Sequence, residues 1–364
     1  MKENDLDLSG VRTLFVAPCL GRFGGIEAFC HALAEEILRC GAKVTILRKR
    51  VSGFSANGSI ESQEQELREK LGVELADRLV TEFVSARSPR LLAEVWKADL
   101  VHVHNPLVEI IVTAKILRKP CVTTIYNWRR RNLHWRTLGW AAGARLADRR
   151  WYISEFVWDS WEQHRRTGSA RLPVVSRMPA GRISPNRRKG FLFLGRWIPN
   201  KGLRTLLEAY RTVAPDGTRW PLILVGDGPL REEIERRVKE ENIDGVQFTG
   251  FVSDEERNRL IRNAKWMVTP PNTNEDLGLT PLEARAVGVP CIVSKDGGLK
   301  ETGGPHALRC RPGCSESLAQ AMREAIGMSE DCYARLSELS KEGLADYVRP
   351  LDDYAIAYRE LLRK

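Results

Sequence analysis

The chain has 364 residues, 43% of them hydrophobic and 29% charged, which is typical of a globular protein with more than one domain. No stretch is apolar enough to span a bilayer, and the polar, acidic residues 1–7 do not resemble a signal peptide, so we expect cytoplasmic residence. The net charge of +10 favours nucleic acid, anionic lipid surfaces or phosphorylated substrates without choosing among them. None of the eight cysteines forms a CxxC pair, which indicates reduced thiols rather than disulfides or zinc ligands.

The chain begins with a β-loop-α-β pattern. Residues 13–17 predict a buried strand, a loop with three glycines follows, a helix starts near Glu27, and residues 44–47 predict the next strand. Glycines allow a backbone to approach a ligand closely. A tight turn without a ligand explains the same glycines equally well. Residues 51–90 give no clear pattern beyond a polar helix at residues 61–71.

Residues 99–105 predict another buried strand, in which His102 and His104 share one face because side chains alternate. A metal site would need a third ligand, and none is evident nearby. We favour an arrangement in which His104 and Asn105 lie at the carboxyl end of the strand and face a cleft. Residues 111–117 predict a crossover helix, and residues 121–126 predict a further strand that ends at Tyr126.

The segment from Trp128 to Trp151 interleaves arginines with tryptophans. Such a segment can hold phosphates, stack on bases or lie at a lipid headgroup layer. A solvated basic face with the tryptophans in the core is an equally good explanation. We therefore treat an anionic membrane surface, contacted peripherally at the inner membrane, as a candidate partner. We expect no nucleic acid, because no recognised RNA or DNA module is present.

Residues 177–189 are rich in Pro, Gly, Asn and Arg and predict an interdomain linker. Beyond them strands alternate with helices, the latter at residues 203–213, 230–240 and 254–263. This spacing is typical of βαβ units. We expect an α/β fold with two Rossmann-like parallel-sheet domains, residues 1–178 and 179–349, and a closing helix at residues 350–364 that packs back on the first domain.

Two loops of the second half carry candidate chemistry. Residues 195–202 follow its first strand and contain Arg196 and Lys201, cations that could clamp a diphosphate; a pair of surface cations is the alternative. The loop that contains Glu275 follows the strand at residues 265–269. It leads into a helix start where Thr280 is the predicted N-cap and Glu283 the third helical residue, a capping box. Helix N-termini bind anions, and carboxylates beside them suit sugar hydroxyls.

Together with residues 225–229 and 248–252, these loops resemble the retaining family 4 glycosyltransferases of GT-B architecture. The resemblance is close in the C-terminal half and looser in the N-terminal half, where residues 24–27 and 99–105 carry it. It implies two domains facing a cleft. It also implies that a UDP- or GDP-linked nucleotide sugar is the donor substrate, with no cofactor and no metal. The implied acceptor is a glycan or lipid-linked molecule, and the implied role is cell-surface polysaccharide or glycolipid synthesis.

The resemblance also assigns roles to residues. Arg196 and Lys201 would bind the donor phosphates and stabilise the leaving nucleoside diphosphate, and Glu275 would contact donor-sugar hydroxyls near the reacting carbon. The remaining implied donor contacts, with Glu283 on the ribose, are Gly25, Gly226, Phe251, Val252, Gly278, Leu279, Thr280 and Glu283. On the acceptor or donor-sugar side it places His104, Asn105 and Tyr126.

The sequence departs from the family pattern at two positions. Tyr126 stands where family members often have His, and Leu277 stands where they often have Phe. Tyr126 puts the sugar geometry in doubt and keeps an inactive, partner-binding relative among the alternatives. A nucleotide-sugar epimerase of the same architecture is another. The sugar, the base, the acceptor, the linkage and the oligomeric state stay open.

Overall fold

The computed structural model describes residues 6–21, 23–56, 58–130, 135–162, 167–172, 178–181, 183–214, 216–348 and 351–363. The chain divides into two compact units, one within Met1–Ser176 and Arg349–Lys364 and one within Arg177–Val348. Each unit is built on a parallel sheet, which confirms the prediction of two parallel-sheet α/β domains. Residues 177 and 182 of the predicted linker lie outside the described residues; a short 3-10 helix, Pro185–Arg187, precedes the second sheet.

Both sheets are parallel throughout. The sheet of the first unit has the order β3-β2-β1-β4-β5-β6-β7 and consists of β1 (Arg12–Cys19), β2 (Lys43–Arg50), β3 (Leu79–Val84), β4 (Leu100–His104), β5 (Cys121–Ile125), β6 (Arg149–Tyr152) and β7 (Ser169–Arg171). The sheet of the second unit has the order β10-β9-β8-β11-β12-β13 and consists of β8 (Lys189–Leu194), β9 (Leu222–Val225), β10 (Val246–Gly250), β11 (Ala264–Thr269), β12 (Cys291–Ser294) and β13 (Leu308–Cys310).

Helices connect the strands, as parallel pairing requires. In chain order they are α1 (Gly25–Arg39), α2 (Ser59–Ala76), α3 (Pro89–Lys97), α4 (Val108–Ile116), α5 (Trp135–Leu146), α6 (Glu155–Glu162), α7 (Leu203–Val213), α8 (Arg231–Glu240), α9 (Asp254–Asn263), α10 (Leu279–Ala286), α11 (Leu299–Thr302), α12 (Ser315–Gly327), α13 (Glu330–Leu339) and α14 (Asp352–Leu362). Of these, α14 belongs to the first unit.

The segment at residues 51–90 contains α2, β3 and the start of α3. Its pattern is weak because α2 buries only Ile60, Leu67 and Leu71 and is bent at Gly72, where φ is +71°. The predicted polar helix at residues 61–71 is confirmed as part of α2, whereas β3 was not predicted.

Side chains of β1 and β4 alternate between two layers of the first unit. On one face Leu14, Val16, Val101 and Val103 join a core cluster with residues of α3 and α4. On the other face lie aromatic groups, including Phe15 and the two histidines of β4, together with residues of α1 and α14. The second unit likewise has an apolar cluster on each side of its sheet.

Candidate functional site

The strand order of the second sheet reverses between β8 and β11, which pair directly, for example Trp266 with Phe191. In open parallel sheets, ligands bind outside the carboxyl ends of the strands at such a reversal. The loops that follow β8 and β11 therefore lie side by side at this position. They are the two loops that carry Arg196, Lys201 and Glu275.

Trp197 anchors the loop after β8. Its side chain is fully buried, its backbone N–H donates to the carbonyl of Asp227 (2.8 Å), and its carbonyl accepts from the N–H of Leu230 (3.1 Å). The side chain of Arg196, one residue earlier, is exposed and forms no hydrogen bond or ion pair with the described residues. The anchored loop thus presents a guanidinium that an anionic ligand could engage in two parallel hydrogen bonds.

Gly226 lies where the turn after β9 touches the loop after β8. Its φ is +116°, and a Cβ at this position would overlap the carbonyl oxygen of Gly195. Only glycine tolerates both the backbone conformation and the close approach. The structure therefore gives Gly226 a packing role between two loops, whatever ligand it also contacts.

Lys201 and Glu275 form an ion pair across the two loops. Lys201 Nζ donates to Glu275 Oε2 at 2.6 Å, and the two side chains are 22% and 18% exposed. Lys201 ends a short 3-10 helix, Pro199–Lys201, while Glu275 lies between β11 and α10. Both groups keep partial access to solvent, and each can exchange part of this contact for a ligand.

Main-chain contacts join the same loops beneath the ion pair. Gly202 has a φ of +76°, and a Cβ there would overlap the carbonyl oxygen of Pro270. Asn272 donates its backbone N–H to the carbonyl of Asn200 (3.0 Å), and its side-chain oxygen accepts from the hydroxyl of Thr205 (3.0 Å). The separation of Lys201 from Glu275 is therefore set by the backbone. Sequence reasoning missed Asn272, although an Asn in a loop after a strand is a signal for side-chain to backbone bonding.

A glycine pair supports the other side of Glu275. Gly298 donates its N–H to the carbonyl of Glu275 (2.7 Å), and a Cβ on Gly297 would overlap the Glu275 backbone. Asp296 accepts from the N–H of Gly297 (2.8 Å) and, with the Asn274 amide oriented to satisfy both groups, from Asn274 at 3.0 Å. The Asp-Gly-Gly run after β12 was the overlooked sequence signal for this support.

The predicted capping box at the start of α10 is wrong. The helix begins at Leu279, its N-cap residue is Gly278 with φ +81°, and no side chain caps it. The chain therefore turns into the helix two residues earlier than Thr280 predicts, at a glycine that tolerates the left-handed backbone. The N–H groups of Leu279 and Thr280 lie in the first turn, where helix N–H groups have no partner within the helix. The helix ends at Ala286.

Glu283 consequently sits in the second turn of α10 rather than at the capping position. It is 7% exposed, and its Oε1 lies 3.7 Å from Nη1 of Arg257 on α9. This neighbour was not predicted. A buried carboxylate beside a guanidinium can accept hydrogen bonds from hydroxyl groups.

Phe251 and Val252 follow β10 directly. Phe251 is 80% exposed, whereas Val252 packs partly against the apolar cluster that includes residues of α9 and α10. An anchored backbone with a freely presented aromatic ring suits a planar ligand that stacks and hydrogen-bonds to the main chain.

In the first unit, His104, Asn105 and Tyr126 come together at the carboxyl ends of β4 and β5. His104 Nδ1 lies 2.8 Å from the hydroxyl of Tyr126, and Tyr126 donates its backbone N–H to Asn105 Oδ1 (3.0 Å). His104, Asn105 and Tyr126 are 0%, 3% and 6% exposed, respectively. Burial lowers the pKa of His104 to about 3, so its imidazole is neutral. Its Nε2 has no partner among the described residues. Gly25, the implied donor contact in the glycine-containing loop after β1, is the first residue of α1. Residue 22 of that loop lies outside the described residues.

His102 and His104 share one face of β4, as predicted, and their rings stack at 4.3 Å. His102 is held by protein groups, with the hydroxyl of Tyr358 at 2.5 Å from Nδ1 and that of Thr124 at 2.7 Å from Nε2. Within the part of the chain that the structure describes, no group of three or more His, Cys, Asp or Glu residues could hold a metal ion.

The segment from Trp128 to Trp151 divides into different environments, and its residues 131–134 lie outside the described ones. Trp151 is 3% exposed and stacks on Tyr358 of α14 with ring centroids 5.9 Å apart, so it is a core residue. Trp135, at the start of α5, is 70% exposed. The core explanation is confirmed for Trp151, and a membrane role for the exposed part of the segment stays a prediction.

Comparison with known proteins matches both units. A family model described as glycosyl transferases group 1 matches residues 178–342, and one described as glycosyltransferase family 4 matches residues 23–178. The chain belongs to the GT-B glycosyltransferase superfamily. The O-antigen chain mannosyltransferase C of Escherichia coli is 30% identical over 47% of this GT-B chain and 47% of its own length. The GDP-mannose-dependent alpha-(1-6)-phosphatidylinositol dimannoside mannosyltransferase of Mycobacterium tuberculosis is 29% identical over 40% and 38%, respectively.

The matched region thus spans less than half the length of these curated relatives. The crystal structure of Anabaena HepE in complex with UDP is similar to this GT-B chain with a TM-score of 0.75, at 16% identity over 97% of this chain and all of that one. This likeness establishes the GT-B fold. No helix in the described ranges combines the length and the apolar content needed to cross a membrane.

Proposed function

We propose that this GT-B chain is a retaining family 4 glycosyltransferase that moves a sugar from a UDP- or GDP-linked donor to a glycan or lipid-linked acceptor. The observation that carries the proposal is the Lys201–Glu275 ion pair at the reversal of the second sheet, with the exposed guanidinium of Arg196 on the same loop. Two cations and a carboxylate at the carboxyl ends of neighbouring strands suit a ligand with a diphosphate, which the cations can bind, and a hydroxylated ring, which can donate to the carboxylate.

The donor site would act mainly on the leaving group. Arg196 and Lys201 would hold the diphosphate, and the N–H groups of Leu279 and Thr280 would donate to it at the start of α10, beside Gly278. Cleavage of a glycosyl–phosphate bond places extra negative charge on the phosphate, and fixed donors and cations favour that change. Glu275, already hydrogen-bonded to Lys201 Nζ, would accept from donor-sugar hydroxyls with its other oxygen.

The nucleoside would bind further along the same edge. Glu283 would accept from the ribose hydroxyls, because it is buried, beside a guanidinium and unused as a helix cap. Phe251 and the backbone of Val252 would hold the base, and Gly226 would allow the neighbouring loop to approach. The relatives' names and structures include both a GDP-mannose donor and bound UDP, so they support either base.

We assign residues 1–178 and 350–364 to an acceptor-side domain and residues 179–349 to a nucleotide-sugar-binding domain. In the first, Gly25 is a proposed donor contact, and the buried trio of His104, Asn105 and Tyr126 is proposed for the acceptor or donor-sugar side. Because His104 is fully buried, it would act by fixing the hydroxyl of Tyr126 rather than by touching a ligand. The proposed setting is the cytoplasmic side of the inner membrane in cell-surface polysaccharide or glycolipid synthesis, which fits the O-antigen and phosphatidylinositol relatives.

The proposed chemistry retains the anomeric configuration. The acceptor hydroxyl would attack on the face that the diphosphate leaves, and the leaving phosphate would take its proton, so no enzyme nucleophile is required. Two cations and main-chain N–H groups would neutralise the leaving group without a metal ion.

The test begins with a thermal-shift screen of UDP- and GDP-sugars and of free UDP and GDP. The donor found is then used in transfer assays of wild type, Arg196→Ala, Lys201→Ala and Glu275→Ala, with Arg236→Ala as an exposed control. Each site variant should lose about 10²-fold or more in turnover, and the control should not. NMR of the product should show a retained anomeric configuration, and EDTA should leave the rate unchanged. Near wild-type turnover in all three site variants would refute the site.

Two other functions would give different results in the same assays. An epimerase would convert the nucleotide sugar without an acceptor. An inactive relative, for which Tyr126 is the motivation, would bind the donor but would show no turnover with any acceptor.

A further inference from the structure

Exposed apolar side chains are concentrated on three consecutive helices of the first unit. The described residues include eleven exposed large hydrophobic side chains, and seven of them are on α3, α4 and α5. These seven define what we call the apolar helical face: Leu92, Trp96, Val112, Ile116, Trp135, Leu138 and Leu146. Single exposed hydrophobics are ordinary, but a group on adjacent elements marks an interaction surface.

The three helices lie side by side on one face of the sheet. Leu91 and Val95 of α3 and Ile110 and Ile111 of α4 belong to the same core cluster, so both helices cover the same sheet face. The fifth helix packs closely on α4, because a Cβ on Gly143 would be only 3.0 Å from the carbonyl oxygen of Pro106 and 3.4 Å from Ile111. The exposed apolar residues are on the sides of these helices that do not contact the core.

The C-terminal ends of the three helices share one edge of the unit. They lead into β4, β5 and β6, which are neighbours in the sheet, so the residues just before these strands lie in a row. Trp96, Ile116 and Leu146 occupy these ends and are 67%, 75% and 45% exposed. The ion pair of Lys115 Nζ with Asp148 Oδ1 (2.6 Å) directly connects the end of α4 to the turn after α5.

Cations without acidic partners border this row. Arg118 follows α4 and Arg145 lies in the last turn of α5; both are exposed, and neither has a carboxylate partner within the described ranges. By contrast, Lys97 at the end of α3 pairs with Glu94 (3.0 Å). Tryptophan, aliphatic groups and uncompensated arginines on one surface are typical of proteins that lie at the interface of an anionic membrane.

The geometry points to the apolar helical face as a docking surface for an anionic lipid bilayer. Exposed aromatic and aliphatic groups would enter the headgroup layer, and Arg118 and Arg145 would contact lipid phosphates. A second copy of the chain is a poorer occupant, because a two-fold interface would bring the unpaired arginines of both copies onto one shared surface. This surface is distinct from the residues proposed for donor binding, so the inference does not depend on the proposed reaction.

Vesicle flotation tests the inference with the full chain. Wild type should float with phosphatidylcholine vesicles that contain phosphatidylglycerol and much less with phosphatidylcholine alone. The variant Trp96→Ser/Ile116→Ser/Leu146→Ser should lose at least about tenfold in partitioning to the anionic vesicles. The matched control is Val73→Ser, since Val73 is 81% exposed on α2, outside the face.

Two double variants that remove the same charge from different places separate attraction at this surface from attraction that depends only on net charge. Arg118→Gln/Arg145→Gln should weaken partitioning by about 30-fold, because each cation near an anionic surface contributes about 1 kcal/mol. Arg236→Gln/Lys239→Gln removes the same charge from exposed positions on α8 and should have little effect. Thermal unfolding checks that every variant is folded.

Three results would overturn the inference: no flotation of wild type, equal losses in the test and control variants, or a wild-type dimer that the apolar variant converts to a monomer. Transfer to a water-soluble acceptor, measured in parallel, distinguishes failure of this inference from failure of the proposed reaction.

Discussion

Lys201 and Glu275 lie 74 positions apart in the chain, yet Lys201 Nζ donates to Glu275 Oε2 at 2.6 Å. The contact depends on the pairing of β8 with β11, which places the loops after these strands together. Gly202, against the carbonyl of Pro270, and the Asn272–Asn200 hydrogen bond fix the loops beneath the pair. The ion pair is therefore preorganised before any ligand binds.

A double-mutant cycle on this pair tests whether the two side chains act as a unit. Lys201→Met and Glu275→Gln should each lower kcat/KM by about 10²-fold, and the double variant should lose less than the product of the two. The reason is that each single change also leaves its partner without a counter-charge. Arg211→Met, which disrupts an exposed pair with Glu208, is the control and should change kcat/KM by less than about twofold. Strict multiplicativity would show that the residues act independently.

Gly202→Ala should destabilise the second unit and weaken donor binding together. An added Cβ must move the loop away from Pro270, and the left-handed backbone is strained for alanine, so we expect a loss of about 2 kcal/mol or more in the free energy of unfolding. Gly327→Ala is the matched control, because nothing lies within 4 Å of its added Cβ and its φ is not left-handed. Urea denaturation followed by circular dichroism measures the free energy of unfolding of the two variants. Equal stability of the two variants would contradict the close approach.

Arg285 should be essential to the position of α10. Its buried guanidinium donates to three main-chain carbonyls, those of Thr302 (2.7 Å), Ser340 (2.7 Å) and Glu342 (2.5 Å). Arg285→Met leaves these acceptors without a donor and should cost about 3 kcal/mol or more. The exposed Arg335→Met is the control. Urea midpoints give the comparison, and a loss in the control as large as that in Arg285→Met would refute the assignment.

The two buried histidines should make the protein less stable in acid. Burial lowers the pKa of His104 to about 3, and burial together with His104 lowers the pKa of His102 well below its usual value of 6.5. Unfolding restores the ordinary pKa, so the unfolded chain binds more protons below pH 6.5. Full stability is present above pH 6.5 and is lost as the pH falls towards 3, by about 1.4 kcal/mol per pH unit for each histidine.

Urea denaturation at pH 7.5, 6 and 5 measures this dependence. Carboxylates contribute to it as well, so the informative comparison is with His104→Leu/Tyr126→Phe, which removes one histidine and its hydroxyl partner together. In the double variant, the slope of the free energy of unfolding against pH should be smaller by the contribution of one histidine. An unchanged slope would show that His104 does not titrate on unfolding.

Local patterns were sufficient for several elements. The predicted helices at residues 203–213 and 254–263 coincide with α7 and α9. In α9 the pattern is reinforced by Ser253, whose hydroxyl accepts from the N–H of Glu256 as an N-cap. The predicted capping box at Thr280 failed because the N-cap residue is Gly278, two positions earlier, whose left-handed backbone suits glycine.

The sequence by itself determined many of the segments that form strands and helices, the loops that follow those strands, and the cations and carboxylates that the loops carry. It could do so because burial of one face imposes a short period on the chain, and turn and cap residues mark the ends. Only the tertiary structure decided that Lys201 meets Glu275, that Glu283 neighbours Arg257, that Trp151 belongs to the core, and that the exposed residues of α3, α4 and α5 form one surface. These facts depend on strand order and on contacts between residues far apart in the chain, which no local period encodes.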